Sequence, residues 1–337
     1  MHLVRPCTLD DVSSIESLVR DNHAHIASLP RKRARLIERI EHSMRSFQND
    51  PELNGGQFFL FVLEDTQTGS IVGCSGIAMN NSAKRPFYNY RLGELIHASE
   101  IYDVHTPVSV LHLTHELTGH NVLCSFAIKP NLLGTNLFGL ISRARFMFMR
   151  QFSEMFNERL VVELQGVCNE EGQSAFWDSW GRNFFNMDYA SANYHVATKS
   201  RTFLAELMPP HPVYVEMLSE EAQLVIGKHD ERADEIHALL VNEGFESSPY
   251  VDIFDAGEVM VAIREQVKTY REAQQKTVLE GQVSTGLPFM LCNDSFEDFR
   301  CALVQSSEGR GDLLRVNRAD MESLKLQSGS DYYFCRF

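Results

Sequence analysis

Three His-rich or acid-bearing stretches carry the residues most suited to chemistry. In His112-Leu-Thr-His115-Glu116-Leu-Thr-Gly-His120 the imidazoles stand three and five apart. A helical zinc site needs two His four apart on one face with Glu as base, and Gly119 disfavours a helix, so the stretch reads as polar or half-buried histidines and no metal is expected. Glu163 lies mid-strand in Val161-Val-Glu-Leu164, where an unpaired charge is expensive. Asp252 and Asp255 flank the apolar pair Ile253-Phe254. Between a strand at Val122–Ile128 and a long helix lies Asn131-Leu-Leu-Gly134-Thr-Asn136, a turn whose backbone N–H groups could face an anion at the helix start.

The elements that must position these groups are legible in outline. Leu3–Arg5 predicts a first strand, with helices following Thr8 and over Lys32–Phe47. Gln57–Glu64 and Ile71–Met79 form a hairpin around a Gly-ended turn. Leu92–Ala98 and Val108–Leu113 read as strands within a segment, Asn80–Asn121, that has the character of an insert. Asn136–Phe156 predicts a helix, Leu160–Leu164 a strand, and Ser174–Phe185 an aromatic-rich helix. Helices are then expected at Ser200–Leu207, at Glu220–Ile226 capped by Ser219, at Glu231–Asn242 ending at Gly244, and at Glu265–Gln275, with a strand at Tyr250–Phe254. From Lys276 onward short strands alternate with Gly-rich turns. Three strands before the first crossover helix exclude a Rossmann-like order or an α/β barrel.

Composition bounds the rest. The 337 residues, 44% hydrophobic and 23% charged, are ordinary for a globular chain. A net charge of −14 argues against nucleic acid or an anionic membrane surface as partner. No apolar run approaches the ~20 residues that span a bilayer, and the first residues lack a leader pattern, so a cytoplasmic protein is expected. Seven widely spaced cysteines without a Cys-x-x-Cys pair predict neither a disulfide framework nor a Cys-rich zinc site, and Cys74 and Cys124 read as core residues.

Whole segments carry a resemblance. Ser28-Leu-Pro30-Arg31, Phe87-Tyr-Asn-Tyr-Arg91, His97-Ala-Ser99, Ser142-Arg-Ala-Arg-Phe-Met-Phe-Met149, Phe176-Trp-Asp-Ser-Trp-Gly-Arg-Asn-Phe-Phe185, Ser200-Arg-Thr-Phe-Leu-Ala-Glu-Leu-Met-Pro209, Glu243-Gly-Phe245 and Tyr250-Val-Asp-Ile-Phe-Asp-Ala-Gly257 occur in this order. Together they resemble the arginine N-succinyltransferase family over nearly the full chain. Leu123-Cys-Ser-Phe126 and Lys199-Ser-Arg-Thr-Phe203 look most like the α subunit of the two-subunit arginine/ornithine succinyltransferases.

The resemblance implies an α+β fold: a GNAT-like acyl-CoA N-acyltransferase core (mixed, splayed sheet with flanking helices) over residues 1–275, with the insert at 80–121, and a small C-terminal β-barrel over 276–337. It implies transfer of succinyl from succinyl-CoA to the α-amino group of L-arginine, in arginine catabolism, with no permanently bound cofactor. Ornithine is the competing acceptor, and a structural or regulatory subunit the non-enzymatic alternative. A homologous second subunit or a homo-oligomer is implied as partner. The family's acid/base His falls on Val225-Ile-Gly-Lys-His229-Asp230, which points to His229 with Asp230 as the neighbouring alternative. Coenzyme contacts fall on Phe126, Ile128, Gly134 and Asn136; guanidinium contacts are assigned to Glu163, Asp252 and Asp255. Where related chains carry two glycines before the long helix this one has Asn136 and Phe138, and no Arg or Lys lies between Pro130 and Arg143. A bulky Phe138 would crowd a pyrophosphate, so weak coenzyme A binding by the isolated chain is expected.

Overall fold

The structure, a computed structural model, describes residues 1–21, 28–53, 56–79, 86–99, 101, 103–198, 208–283, 286–308 and 313–337. The first strands are β1 (His2–Pro6), β2 (Phe58–Asp65), β3 (Ser70–Met79), β4 (Asn89–Ser99), β5 (Val104–Thr114), β6 (Asn121–Ile128) and β7 (Arg159–Glu163). After them come β8 (Val213–Tyr214), β9 (Glu246–Val251), β10 (Glu258–Ile263), β11 (Gln274–Glu280) and β12 (Leu287–Cys292). The last are β13 (Cys301–Glu308), β14 (Leu313–Val316) and β15 (Ser330–Arg336). All belong to one mixed sheet in the order β12-β15-β11-β14-β13-β1-β2-β3-β6-β7-β10-β9-β4-β5-β8.

Helices α1 (Val12–Asp21) and α2 (Arg33–Phe47) cover one face of this sheet, and α3 (Asn136–Gln151) covers the other. The unbroken apolar run of β2 is what such double covering demands. Phe59, Phe61 and Leu63 belong to the α3 core, while Phe58, Leu60 and Val62 belong to the core of α1 and α2. On the α3 side the Phe148 ring meets those of Phe47, Phe59, Phe61, Phe156 and Phe299 at 5.0–5.8 Å. Each such buried ring contributes about 1.5–3 kcal/mol by leaving water.

The sheet opens at its centre. β6 runs antiparallel to β3 through Ile128, but its parallel pairing with β7 covers only Asn121↔Leu160, Val122↔Val161 and Leu123↔Val162. Just beyond, Ser125 takes φ +55° and the β3–β6 register shifts between Cys74 and Gly76. A bulge of this kind bends its strand and ends regular pairing. Beyond Leu123, one edge of β6 is therefore left without β7.

Several expectations need correction. Within the expected insert, β4 and β5 form a hairpin that extends the sheet, joining β9 through Tyr90↔Val251 and β8 through Val110↔Tyr214. The long helix ends at Gln151, where Phe152 leaves helical geometry (φ −120°, ψ 46°), and a 3₁₀ turn follows at Ser153–Met155. The aromatic helix expected at Ser174–Phe185 forms over 175–185, but with a π segment at Trp177–Gly181 that runs into α4 (Arg182–Phe185). Gly181 is needed there because a Cβ would stand 2.4 Å from the Trp177 ring. The predicted strand Tyr250–Phe254 ends at Val251, because Asp252 Oδ1 accepts the N–H groups of Phe254 and Asp255 and turns the chain. Glu265–Gln275 is α-helical only over Lys268–Glu272, after a 3₁₀ turn at Arg264–Gln266, and Gln274 and Gln275 already pair with Phe334 and Tyr333. Ser200–Leu207 falls outside the described residues.

The C-terminal strands β12, β15, β11, β14 and β13 pair in that order, and β12 pairs again with β13, so the hydrogen bonding returns to its first strand. Val278, Phe289, Leu291, Val304, Leu314 and Phe334 fill the space between them. β1 ties this unit to the main sheet, pairing with β2 on one edge and with β13 through Leu3↔Ala302 and Val4↔Cys301 on the other. All seven cysteines are free. Among the described residues no helix is long and apolar enough to cross a membrane.

Candidate active site

The chain gathers its chemically competent side chains where β7 ends and β10 begins. Helix α5 (Tyr189–Thr198) reaches this region, as do α6 (Glu220–Val225) and α7 (Asp234–Glu243). Ser219 caps α6 by accepting from the Ala222 N–H, and Gly227, at φ +73°, turns the chain after the helix while donating to the Ala256 carbonyl at 2.8 Å. The next residues cross the end of β7. His229 bridges Gly166, and the Asp230 N–H donates to the Gln165 carbonyl at 2.8 Å. His229 is thus held through its backbone, with its ring turned toward the first residue of β10.

Each ring nitrogen of His229 faces a carboxylate. Nδ1 lies 2.9 Å from Glu258 Oε2, and Nε2 lies 3.1 Å from Asp234 Oδ1. The His237 ring stacks on it at 4.3 Å with planes 21° apart, its Nε2 standing 3.5 Å from the same Glu258 oxygen. Glu258 is buried, and its other oxygen accepts the Ser247 hydroxyl. Ligand atoms of His229, His237 and Glu258 lie within 4.8 Å of one another, so the three could contact a metal ion. Near-parallel stacked rings, however, run their in-plane lone pairs alongside each other. The arrangement suits an imidazole oriented by a buried carboxylate better than it suits a tetrahedral metal.

Asp230 is committed elsewhere. It accepts from Arg232 Nε at 2.6 Å, Arg232 Nη2 at 2.8 Å and the Cys168 N–H at 3.2 Å. Burial acts to raise its pKa, and the hydrogen bonds from Arg232 outweigh that and hold the carboxyl below its ordinary range.

Asp252 and Asp255 face inward. Asp255 Oδ2 accepts the Tyr189 hydroxyl at 2.6 Å and the Gly166 N–H at 3.0 Å, and Oδ1 accepts the Gly257 N–H at 2.9 Å. Burial, then the charge of Asp252, pushes the Asp255 carboxyl up to about 7. Gly166 and Gly257 permit this packing: a Cβ on Gly166 would stand 2.7 Å from the Asp255 carboxyl carbon, and one on Gly257 2.4 Å from the Leu164 carbonyl. Glu163, the last residue of β7, pairs in register with Val259 and accepts Asn89 Nδ2 at 2.8 Å.

The residues expected to contact coenzyme lie on the other lip of the opening. Phe126 is half-buried, its ring 5.3 Å from Phe138, while Ile128 is buried. Gly134, at φ +69°, and Asn136 are exposed at the start of α3. Phe138 is buried at 4% exposure and packs against Phe126, so it does not crowd the exposed loop as expected; one turn of helix carries its side chain to the core face. The loop meets a different obstacle. A Cβ on Gly134 would lie 3.7 Å from a carboxylate oxygen of Glu235, in the first turn of α7. That turn thus links the two halves of the site: Asp234 touches His229 and Glu235 approaches the loop.

Glu258, His237, Asp234 and Tyr189 were not anticipated from sequence. Glu258 had a signal, since it opens the apolar strand Glu258-Val-Met-Val just as Glu163 closes one. The other three had none; each is brought to the site by packing of its helix.

The chain is also similar to known proteins over its full length. Residues 2–269 match the family model described as arginine N-succinyltransferase beta subunit, and residues 274–331 match that of its C-terminal domain. Arginine N-succinyltransferases of Salmonella schwarzengrund and Salmonella paratyphi B are 36% and 35% identical, over 98% of this chain and 96% of theirs. The solved structure of arginine/ornithine succinyltransferase subunit AI from Pseudomonas aeruginosa superposes with a TM-score of 0.91 at 31% identity, covering 100% of this chain and 98% of that one. The full-length match, in sequence and in fold, means that this chain belongs to the arginine N-succinyltransferase family.

Proposed function

We propose that the chain transfers the succinyl group of succinyl-CoA to the α-amino group of L-arginine, as a step of arginine breakdown in the cytoplasm. The carrying observation is the opening between β6 and β7 with the His229–Glu258 pair at its end. In this reading residues 1–275 are a GNAT-like core and 276–337 a small closed β-barrel. The family models meet at 269 and 274, and the strand pairing from β12 back to β12 supports the closure.

The donor arm runs along the free edge of β6 past Phe126 and Ile128, where backbone amides polarise the thioester carbonyl. Its pyrophosphate lies at the Gly134–Asn136 loop. An α-amino group is mostly protonated at neutral pH, so a base at the opening raises the reactive fraction. His229 accepts that proton, Glu258 keeps its ring in place, and the free amine attacks the carbonyl carbon. The C–N bond forms and the C–S bond breaks; of the two protons the ammonium group gives up, one leaves on the coenzyme thiol and the other passes to solvent. Glu163 is the guanidinium contact this reading favours; Asp252 and Asp255 bear on the substrate through the turn they build.

A specific observation favours pairing with a homologous subunit or second copy that supplies part of the donor site. The loop has no Lys or Arg between Pro130 and Arg143, and the Glu235 carboxylate stands beside Gly134. An anion there gains less than at a loop free of negative charge. The test is thiol release from succinyl-CoA with arginine, ornithine and other amino acids, using the chain alone and with a homologous subunit. Absence of turnover with arginine and ornithine in both formats ends the proposal.

A further inference from the structure

Two of the three guanidinium groups on helix α3, those of Arg143 and Arg145, have opposite fates. Arg143 Nε lies 2.8 Å from the fully buried Glu243 carboxylate, an ordinary ion pair. Arg145 is buried more deeply, at 2% exposure, and no carboxylate among the described residues lies within ion-pair distance. Its partners are the Ser142 carbonyl, 3.0 Å from Nε, and the Ser142 hydroxyl, 2.9 Å from Nη2. A buried charge without a counter-charge is costly and rare in a protein built only to be stable. Burial drags the Arg145 pKa down to about 10.

The site of this unbalanced cation is specific. Its guanidinium carbon is 5.7 Å from the Phe126 ring, on the stretch of β6 that β7 has left. The neighbouring Cys124 thiol, pushed up by burial, is pulled down by the charges of Arg39 and Arg145 and pushed up again by that of Glu163. Arg39 belongs to α2 and Arg145 to α3, on opposite faces of the sheet. Arg145 therefore stands beside the opening with only neutral hydrogen-bond partners among the described residues.

We propose that Arg145 is a specificity-determining residue that binds a substrate carboxylate in the opening between β6 and β7. This rests on the acyl-transfer reading above. Two carboxylates enter such a site, the terminal one of the succinyl donor and the α-carboxylate of the amino acid, and both suit a planar guanidinium that accepts them side-on.

The experiment compares wild type, Arg145→Met and Arg145→Lys with succinyl-CoA or butyryl-CoA, each against arginine or argininamide. If the donor carboxylate is bound, Arg145→Met loses roughly a hundredfold in kcat/KM with succinyl-CoA and little with butyryl-CoA. If the amino-acid carboxylate is bound, the preference for arginine over argininamide collapses instead. Arg145→Met is expected to melt no lower than wild type, since it removes an unpaired buried charge. Retention of both preferences in a folded Arg145→Met overturns the proposal. So does an unfolded Arg145→Met beside a folded Arg145→Lys with both preferences at wild-type values. A wild type without turnover would count against the acyl-transfer reading alone. Arg145 is then judged by whether millimolar succinate or arginine raises the melting temperature of wild type but not of the folded variant; equal shifts, or none in wild type, overturn it.

Discussion

Asp255 and Glu258 stand three residues apart and are both buried, yet they face different chemistry. Asp255 is held by two backbone N–H groups and the buried phenol of Tyr189. Glu258 faces two imidazoles and a serine hydroxyl, all on side chains. A carboxylate saturated by backbone fixes a turn, whereas one that addresses an imidazole near the surface can orient a proton acceptor. Burial alone would have ranked the two alike; the partners separate them.

The comparison breaks most sharply at the imidazole. His229→Gln should lower kcat by about 10²–10⁴-fold in a thiol-release assay, with folding unchanged by circular dichroism. Wild-type turnover in that variant would reduce Glu258 to architecture like Asp255. Glu258→Gln keeps the shape and weakens the hold on His229, so kcat should fall roughly ten- to hundredfold while KM for both substrates stays put. A rise in KM with kcat intact would show that Glu258 binds substrate directly.

On the other side, Tyr189→Phe removes one donor to Asp255 and should cost about 1–2 kcal/mol of stability in denaturant unfolding, with KM and kcat near wild type. Asp255 also has a pH signature. Its folded pKa of about 7 lies above the ordinary value of 3.8, so the folded state binds the extra proton. The stability it favours is present below about pH 4 and is lost as pH rises through 7. Asp11, Asp230 and Asp298, whose carboxyls are held low, contribute in the opposite sense and below that window. Melting temperatures between pH 4 and 8 should therefore decline less in Asp255→Asn than in wild type. The smallest effect belongs to the loop. Glu235→Gln should tighten succinyl-CoA binding by about two- to threefold at low salt, read by calorimetry, because a single exposed charge is screened.

Local patterns foretold the hairpin of β2 and β3, the strand Val122–Ile128, the cap at Ser219 and the stop at Gly244, because each depends on neighbours in the chain. Glu163 stood out for the same reason, a charge set in an apolar strand. His229 came only with the family resemblance, since a His after a short helix carries no local mark of its role. Phe138 was misjudged because loop spacing does not say which way a helix turns its first buried ring.

What the sequence determined by itself is the set of elements and the family, since apolar periodicity, caps and long ordered segments are properties of the chain read in one dimension. Only the tertiary structure decided that Gly166 meets both His229 and Asp255, that Glu258 rather than Asp230 addresses the imidazole, that Glu235 stands beside Gly134, and that Arg145 meets no carboxylate among the described residues. Those contacts join residues tens of positions apart. They depend on the twist of the sheet, the bulge at Ser125 and the close approach allowed at Gly166 and Gly257, and none of these leaves a local signature in composition or spacing.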